Sequence, residues 1–145
     1  MFSTLEKTIH LKGTDLFKDI PAEEVFYVAQ IVEEERLPAS TTFIKEGDVG
    51  DSLYIIVTGE VIAHKDGKEL TKLVKGDCLG EIALLDQEPR SANCTTVDEA
   101  ILLKISRDDF YDVMASRVEF MKAFLKALTG KIRRLTDLYT QHAQQ

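Results

Sequence analysis

The sequence predicts an α+β fold that is mainly β: an antiparallel β-roll with helices before it and a long helix after it. Within residues 41–106, short β-branched runs alternate with glycine turns, a pattern typical of antiparallel strands. Apolar residues recur at helical spacing near Pro21 and again after Arg107. A short apolar stretch after Gly80 interrupts the β pattern and predicts one brief internal helix.

Residues 1–40 are predicted to form the N-terminal helices. Ser3-Thr4-Leu5-Glu6 has the form of a capping box, so a brief helix is expected within the first ten residues. A second helix is expected to start near Pro21 and to carry the apolar residues from Val25 to Val32. Pro38 closes the charged surface that follows this helix.

The β-roll is predicted over residues 41–106. Asp66-Gly67 is its clearest hairpin turn, because these residue types tolerate the positive φ angles of a two-residue turn. The predicted core residues, all apolar, are Phe43, Leu53, Ile55, Val57, Val61, Leu73, Ile82, Leu85, Val97, Leu102 and Ile105.

Residues 107–140 are predicted to form the C-terminal helix. Its apolar residues recur at alternating steps of four and three, the a/d spacing of a coiled coil; they are Met121, Leu125, Leu128, Ile132, Leu135 and Tyr139. This spacing favours a partner helix and therefore a homodimer. The alternative is a helix that lies on its own β-roll, and Gly130 would weaken the helix by about 1 kcal/mol.

Length and charge limit the function classes. The chain has 145 residues, which suits a single domain, and its net charge of −7 opposes binding to nucleic acid. We interpret Lys131, Arg133 and Arg134 as charges that balance a helix dipole. The longest apolar run, Leu53–Val57, is far too short to span a membrane, so a cytoplasmic location without membrane contact is expected.

The sequence contains no set of residues typical of a catalytic or metal site. His10, His64 and His142 share no ligand spacing, which argues against a metal-dependent β-roll enzyme. Cys78 and Cys94 are expected to be small, buried apolar residues, since no metal-type spacing surrounds them. The prediction is a binding domain without catalytic residues, metal or cofactor.

The interval from Gly76 to Thr96 has the features of a site for one small anion. Gly80 lets the backbone approach a ligand closely, and the helix turn Glu81–Ala83 that follows it has free N–H groups. Glu81 would then accept hydrogen bonds from a neutral hydroxyl of the ligand. Nine residues later, Arg90 offers a planar charged group suited to two phosphate oxygens.

This stretch resembles the phosphate-binding cassette of the cyclic nucleotide-binding domain family. The matching segments are Gly80–Leu85 and Pro89–Ala92, within a cassette of residues 76–92. Upstream, Phe43–Asp48 and Leu53–Val61 resemble the first β-roll strands of that family. The resemblance covers roughly Leu16 to Leu135 and implies a double-stranded jelly roll.

The resemblance also implies roles for individual residues. Glu81 would bind the ribose 2′-hydroxyl, and Arg90 with backbone N–H groups would bind the cyclic phosphate. The expected ligand-binding residues are Gly80, Glu81, Ile82, Ala83, Arg90, Ser91, Ala92 and Thr136. Relatives that dimerise through the C-terminal helix use it to cover the base, which would place Lys131, Leu135 or Thr136 near the purine.

The function that the resemblance implies is a regulatory sensor for cAMP, whose binding is passed on through the C-terminal helix. Selectivity for cGMP is an alternative, because Ser91 offers a hydroxyl beside Arg90. A second alternative is a dimerisation module with an unused nucleotide pocket. A fused or partner effector domain would supply the output. If Met1 is not a natural start, the chain is one module of a longer receptor, transporter or repeat protein.

Overall fold

Two antiparallel sheets form the body of the protein. The computed structural model describes the backbone of residues 1–143 and the side chains of residues 1–80 and 84–141. Its strands are β1 (Glu33–Leu37), β2 (Thr42–Ile44), β3 (Ser52–Thr58), β4 (Val61–Lys65), β5 (Lys68–Leu73), β6 (Cys78–Leu79), β7 (Asn93–Thr96) and β8 (Ala100–Ser106). The strand orders are β1-β8-β3-β6 and β2-β7-β4-β5, which confirms the predicted β-roll.

Helices flank this body and interrupt it once. They are α1 (Thr4–Lys12), α2 (Ala22–Ala29), α3 (Glu81–Asp86), α4 (Arg107–Ser116) and α5 (Val118–Ala143). The predicted capping box is confirmed: the Ser3 hydroxyl accepts from the Glu6 N–H, and Glu6 Oε1 accepts from the Ser3 N–H, both at 3.1 Å. The predicted start of the second helix at Pro21 is also confirmed.

The β4–β5 hairpin turns at Asp66-Gly67, as predicted. Both residues have positive φ, 54° and 76°, and the strands on either side pair Lys65 with Lys68. This is the geometry that a two-residue turn needs to match the twist of its strands.

The core has two layers that meet on the two faces of β3. Leu53, Ile55 and Val57 face the helices, while Tyr54 and Ile56 face the second sheet. Because both faces are covered, the strand is a continuous apolar run instead of an alternating one. The helical layer is rich in aromatic rings, and Phe110 lies 4.9 Å from Phe124 and 5.8 Å from Phe120 between ring centroids.

The helical assignment of residues 1–40 is wrong for Glu33–Leu37. This charged segment is β1, which pairs antiparallel with β8 at the edge of its sheet. Glutamates suit this position because an edge strand exposes part of its surface to water and gains from charge. Pairing with β8 therefore overrides the local preference of the sequence.

The C-terminal interval is two helices and not one. Arg117 has φ −129° and ψ 87°, which ends α4 and lets α5 start in a new direction. Phe110 of α4 and Phe120 of α5 are both fully buried, so the break allows each helix to direct its aromatic residues into the core.

The predicted core list is correct for most residues and wrong for two. Leu85, in the last turn of α3, is 37% exposed, and Val97, in the turn after β7, is 43% exposed. Phe43 and Leu73 are half-buried at the margin of the second layer, and the side chain of Ile82 lies outside the described residues. In the described part of the chain, no helix has the length and apolarity needed to cross a membrane.

Candidate functional site

Gly80 makes the turn from β6 into α3. Its φ is +88°, in the region that favours glycine, and its carbonyl accepts from the Leu84 N–H at 3.0 Å to start the helix. A Cβ added to Gly80 would lie 2.9 Å from Cζ of Arg90. The positive φ therefore favours glycine here, and any side chain at this position would displace the Arg90 guanidinium.

Arg90 is fixed by the loop that joins β2 to β3. Its Nη2 donates to the Ser52 carbonyl at 2.7 Å, and its backbone N–H donates to the Asp48 carbonyl at 2.8 Å. Its own carbonyl accepts from the Gly47 N–H at 2.9 Å. The first residue of β3 thus holds the guanidinium against Gly80, while the β2–β3 loop holds the backbone of Arg90.

A cavity of about 400 Å³ opens beside this arginine, and we call it the cassette cavity. Gly80, Arg90, Ser91 and Ala92 line its charged end, as the sequence predicted for one site. Its remaining lining residues are Ile44, Ala63, Thr71, Leu73, Cys78, Leu79, Asp86, Glu88, Pro89 and Cys94. The volume lies within the range of small-molecule sites, and the wall away from Arg90 is largely apolar.

The far end of α3 is held by α4. The Leu84 carbonyl accepts from Arg107 Nε at 3.1 Å and from the Tyr111 hydroxyl at 3.2 Å, and the same hydroxyl donates to the Leu85 carbonyl at 3.3 Å. Arg107 also donates to the Gly50 carbonyl in the β2–β3 loop. These donors satisfy carbonyls at the end of α3 and connect the cassette to α4.

Cys94 places a thiol in the apolar wall of the cassette cavity. Burial raises the pKa of this thiol, while the nearby charge of Arg90 acts in the opposite direction. Cys78, which lines the same cavity, is half-buried. The prediction of a small buried residue is confirmed for Cys94 and wrong for Cys78, and the structure adds that both line one cavity.

A second cavity of about 540 Å³ adjoins the first, and we call it the helix cleft. It lies between the loop after α1, the β5–β6 turn and Lys131 of α5, and it shares Thr71, Leu73 and Cys78 with the cassette cavity. Lys131 therefore lines a cleft that shares part of its wall with the cassette cavity.

The sequence pattern of the "Cyclic nucleotide-binding domain" family matches residues 34–117, more than half of the chain. The chain belongs to this family.

Individual relatives agree with that assignment. The chain is 32% identical over 114 residues to a cAMP-dependent protein kinase regulatory subunit from Aspergillus niger, covering 77% of this chain and 28% of the fungal protein. The N-terminal domain of a transcriptional regulator from Streptomyces coelicolor A3(2) superimposes with a TM-score of 0.79 at 30% identity, over 88% of this chain and 92% of that one.

A ligand-bound structure is also similar. The regulatory domain of Toxoplasma gondii PKA, crystallised with cAMP, superimposes with a TM-score of 0.69 at 34% identity, over 75% of this chain and 44% of that one. This domain thus spans less than half the length of either kinase subunit to which it is compared.

The cyclic nucleotide-binding domain brings together only part of the predicted set. The side chains predicted at Glu81, Ile82 and Ala83 lie outside the described residues, although their backbone forms the start of α3. Thr136 is exposed on α5, and neither Thr136 nor Leu135 is among the residues that line the cassette cavity or the helix cleft.

Sequence reasoning missed the donors that hold α3 and most of the apolar wall. Tyr111 is 27 residues from Leu84, and no local motif links the two. The apolar wall comes from single residues or pairs on five strands, β2, β4, β5, β6 and β7, so no local motif in the sequence marks it.

Proposed function

We propose that this domain binds cAMP in the cassette cavity as a regulatory sensor. One observation carries the proposal: the Arg90 guanidinium lies against Gly80 at the start of α3, inside a cavity of about 400 Å³. A guanidinium is always charged and matches two phosphate oxygens, so this end of the cavity suits a cyclic phosphate. Asp86 and Glu88 also line the cavity, and they would oppose an anion that did not reach Arg90.

The ribose would lie over α3. In this proposal Glu81 accepts from the ribose 2′-hydroxyl, and backbone N–H groups of residues 81–83 and of Ser91 and Ala92 surround the phosphate. The support comes from family membership and from the relatives described above, one named a cAMP-dependent protein kinase regulatory subunit and one crystallised with cAMP.

The purine would extend toward the apolar wall and the helix cleft. Ile44, Ala63 and Leu73 offer apolar surface, and Lys131 stands at the edge of the adjoining cleft. Lys131 donates hydrogen bonds, and both adenine and guanine present acceptor nitrogens, so Lys131 does not distinguish the two bases. The preference for cAMP over cGMP is a separate part of the proposal.

We further propose that ligand binding is passed on through the helices and that the domain does not catalyse a reaction. Arg107 and Tyr111 tie the end of α3 to α4, so movement of α3 would be transmitted to the C-terminal helices. In the described residues, no group of three or more His, Cys, Asp and Glu side chains could hold a metal ion. The cytoplasmic location and the effector domain remain predictions.

A second proposal is homodimer formation through α5. Beyond Phe124, which is buried, the helix exposes an apolar stripe along the predicted seam: Leu125 is 51% exposed, Ile132 63%, Leu135 59% and Tyr139 76%. Such a stripe at coiled-coil spacing favours a second copy of the helix. We expect sedimentation equilibrium to show a dimer that Leu135→Lys dissociates, and a monomeric wild-type protein would contradict this proposal.

Calorimetric titration with cAMP and then cGMP tests the ligand. We expect saturable binding to the nucleotide-free protein, with tighter binding of cAMP. Arg90→Ala is the site variant, and Arg36→Ala is its matched control because Arg36 is 60% exposed on β1. Absence of heat with both nucleotides from folded wild-type protein would overturn the sensor and leave the dimerisation module.

A further inference from the structure

Arg117 stands at the junction between α4 and α5. It is the one residue between the two helices, and its extended conformation sets the angle at which α5 leaves α4. Its N–H still donates to the Val113 carbonyl at 2.8 Å, and its carbonyl accepts from the Met121 N–H at 3.1 Å. The Arg117 backbone therefore forms one hydrogen bond with α4 and one with α5.

The side chain of Arg117 reaches back to α2. Its Nη2 donates to Glu24 Oε1 at 2.7 Å and its Nε donates to Oε2 at 3.3 Å, so both carboxylate oxygens are engaged. The guanidinium also lies 3.9 Å from the centre of the Tyr27 ring. The hydrogen bond with Glu24 raises the pKa of Arg117, so the group stays charged at all ordinary pH values.

The partner of Arg117 lies on the buried face of α2. Glu24 is only 5% exposed, and its neighbours on α2, Val25 and Val28, are fully buried. A carboxylate in this position needs a partner, since a buried unpaired charge is costly. The Arg117 guanidinium makes a two-point contact with the Glu24 carboxylate and a cation–π contact with the Tyr27 ring. Together these contacts fix both the distance and the orientation of the guanidinium.

A small rotation of α5 at this junction would move Lys131 within the helix cleft. Lys131 is 14 residues after Arg117, which is about 21 Å along a helix at 1.5 Å per residue, so a rotation of about 10° would displace it by about 4 Å. That displacement exceeds the tolerance of a hydrogen bond. The direction of α5 therefore sets how far Lys131 lies from the wall that the helix cleft shares with the cassette cavity.

We propose that Glu24, Tyr27 and Arg117 form a clasp that sets the direction of α5 and, through it, the position of Lys131 at the nucleotide site. The inference rests on the proposed function, because it treats Lys131 as the residue next to the purine. The competing explanation is that the buried rings of Phe120 and Phe124 alone fix α5. Arg117, Glu24 and Tyr27 are positioning residues in this account and do not touch the ligand.

A double-mutant cycle between the clasp and Lys131 tests the proposal. Arg117→Met and Lys131→Met are made singly and together, and cAMP affinity is measured by titration. We expect Arg117→Met to weaken binding about 3- to 10-fold, as when the fraction of molecules with α5 in place falls toward about a tenth. The same change in the Lys131→Met background should then have almost no effect. Additive losses, or an unchanged affinity for Arg117→Met, would overturn the clasp.

Hydrogen exchange of α5 without nucleotide separates this inference from the proposed function. Arg117→Met and Glu24→Gln should both speed amide exchange in the first half of α5, and the second variant covers the case in which the first does not fold. Lys122→Met is the matched control, because Lys122 forms an exposed ion pair with Glu119 on the same helix. If the wild-type protein binds no cyclic nucleotide, the proposed function is refuted, but hydrogen exchange still tests the clasp. Equal exchange rates in the wild type and all variants would refute the clasp.

Discussion

The two ends of the cassette cavity are built in different ways. The charged end comes from one segment, in which Gly80, Arg90, Ser91 and Ala92 line the cavity and the Arg90 guanidinium lies against Gly80. The apolar end comes from Ile44, Ala63, Leu73 and Cys94, which belong to four different strands. On the proposed function, the comparison implies a division of roles: the charge of Arg90 would recognise the anion, while a surface shared by several strands would accommodate the rest of the ligand.

The charged end should dominate affinity, and Arg90→Ala tests this most strongly. Truncating one partner of a buried charge pair typically costs about 2 to 5 kcal/mol, or roughly 30-fold to several thousand-fold in affinity. Titration of the variant with cAMP should show this loss, while Arg36→Ala binds like the wild type. Equal affinities for Arg90→Ala and the wild type would show that the anion is not bound at this end.

The next largest effect is expected for Gly80→Ala. A Cβ here would meet the Arg90 guanidinium, so we expect cAMP affinity to fall at least about tenfold, as one misplaced charged hydrogen bond would cause.

Gly67→Ala is the matched control for that variant. Gly67, in the β4–β5 turn, also has a positive φ, +76°, but a Cβ there would have no atom within 4 Å. Both variants should lower the melting temperature, because alanine is strained at positive φ, yet only Gly80→Ala should weaken binding. Equal affinity losses would attribute the effect to backbone strain and not to the contact with Arg90.

A smaller effect is expected where the cassette meets α4. Tyr111→Phe removes the hydroxyl that donates to the Leu84 and Leu85 carbonyls, a loss of about 1 kcal/mol that should weaken binding roughly fivefold. Amide exchange should rise in α3 and stay unchanged in β3. Unchanged exchange in α3 would mean that Arg107 alone holds the end of this helix.

The smallest effect concerns the apolar end. Because the thiolate is the reactive form and burial raises the pKa of Cys94 above its ordinary value of 9.0, iodoacetamide should modify Cys94 slowly at neutral pH. The rate should rise as pH approaches and passes that value. Bound cAMP should slow modification of both cavity cysteines in intact-mass measurements, and full reactivity in its presence would place the ligand elsewhere.

The same division explains what the sequence could and could not predict. The charged end was predictable because Gly80, Arg90, Ser91 and Ala92 form a short ordered motif whose chemistry can be read locally. The contact of Tyr111 with Leu84 depends on how α4 packs against α3, and no local sequence motif predicts it.

Two further differences have the same origin. β1 looked like a charged helical surface because its identity as a strand depends on pairing with β8, about 65 residues away in the sequence. The helix break at Arg117 was hidden because an arginine is a good helix former, and only the packing of Phe110, Phe120 and Phe124 shows why the chain bends there.

The hydrogen bond from Arg90 to the Ser52 carbonyl has a kinetic consequence. It uses one of the five donors of the guanidinium and anchors it to the first residue of β3, the strand buried on both faces. The side chain is thus already oriented, and an arriving phosphate need not supply the ordering free energy of about 0.5 to 1.5 kcal/mol. We therefore expect association rates close to those of simple encounter, so that differences among cyclic nucleotides appear in how long each one stays bound.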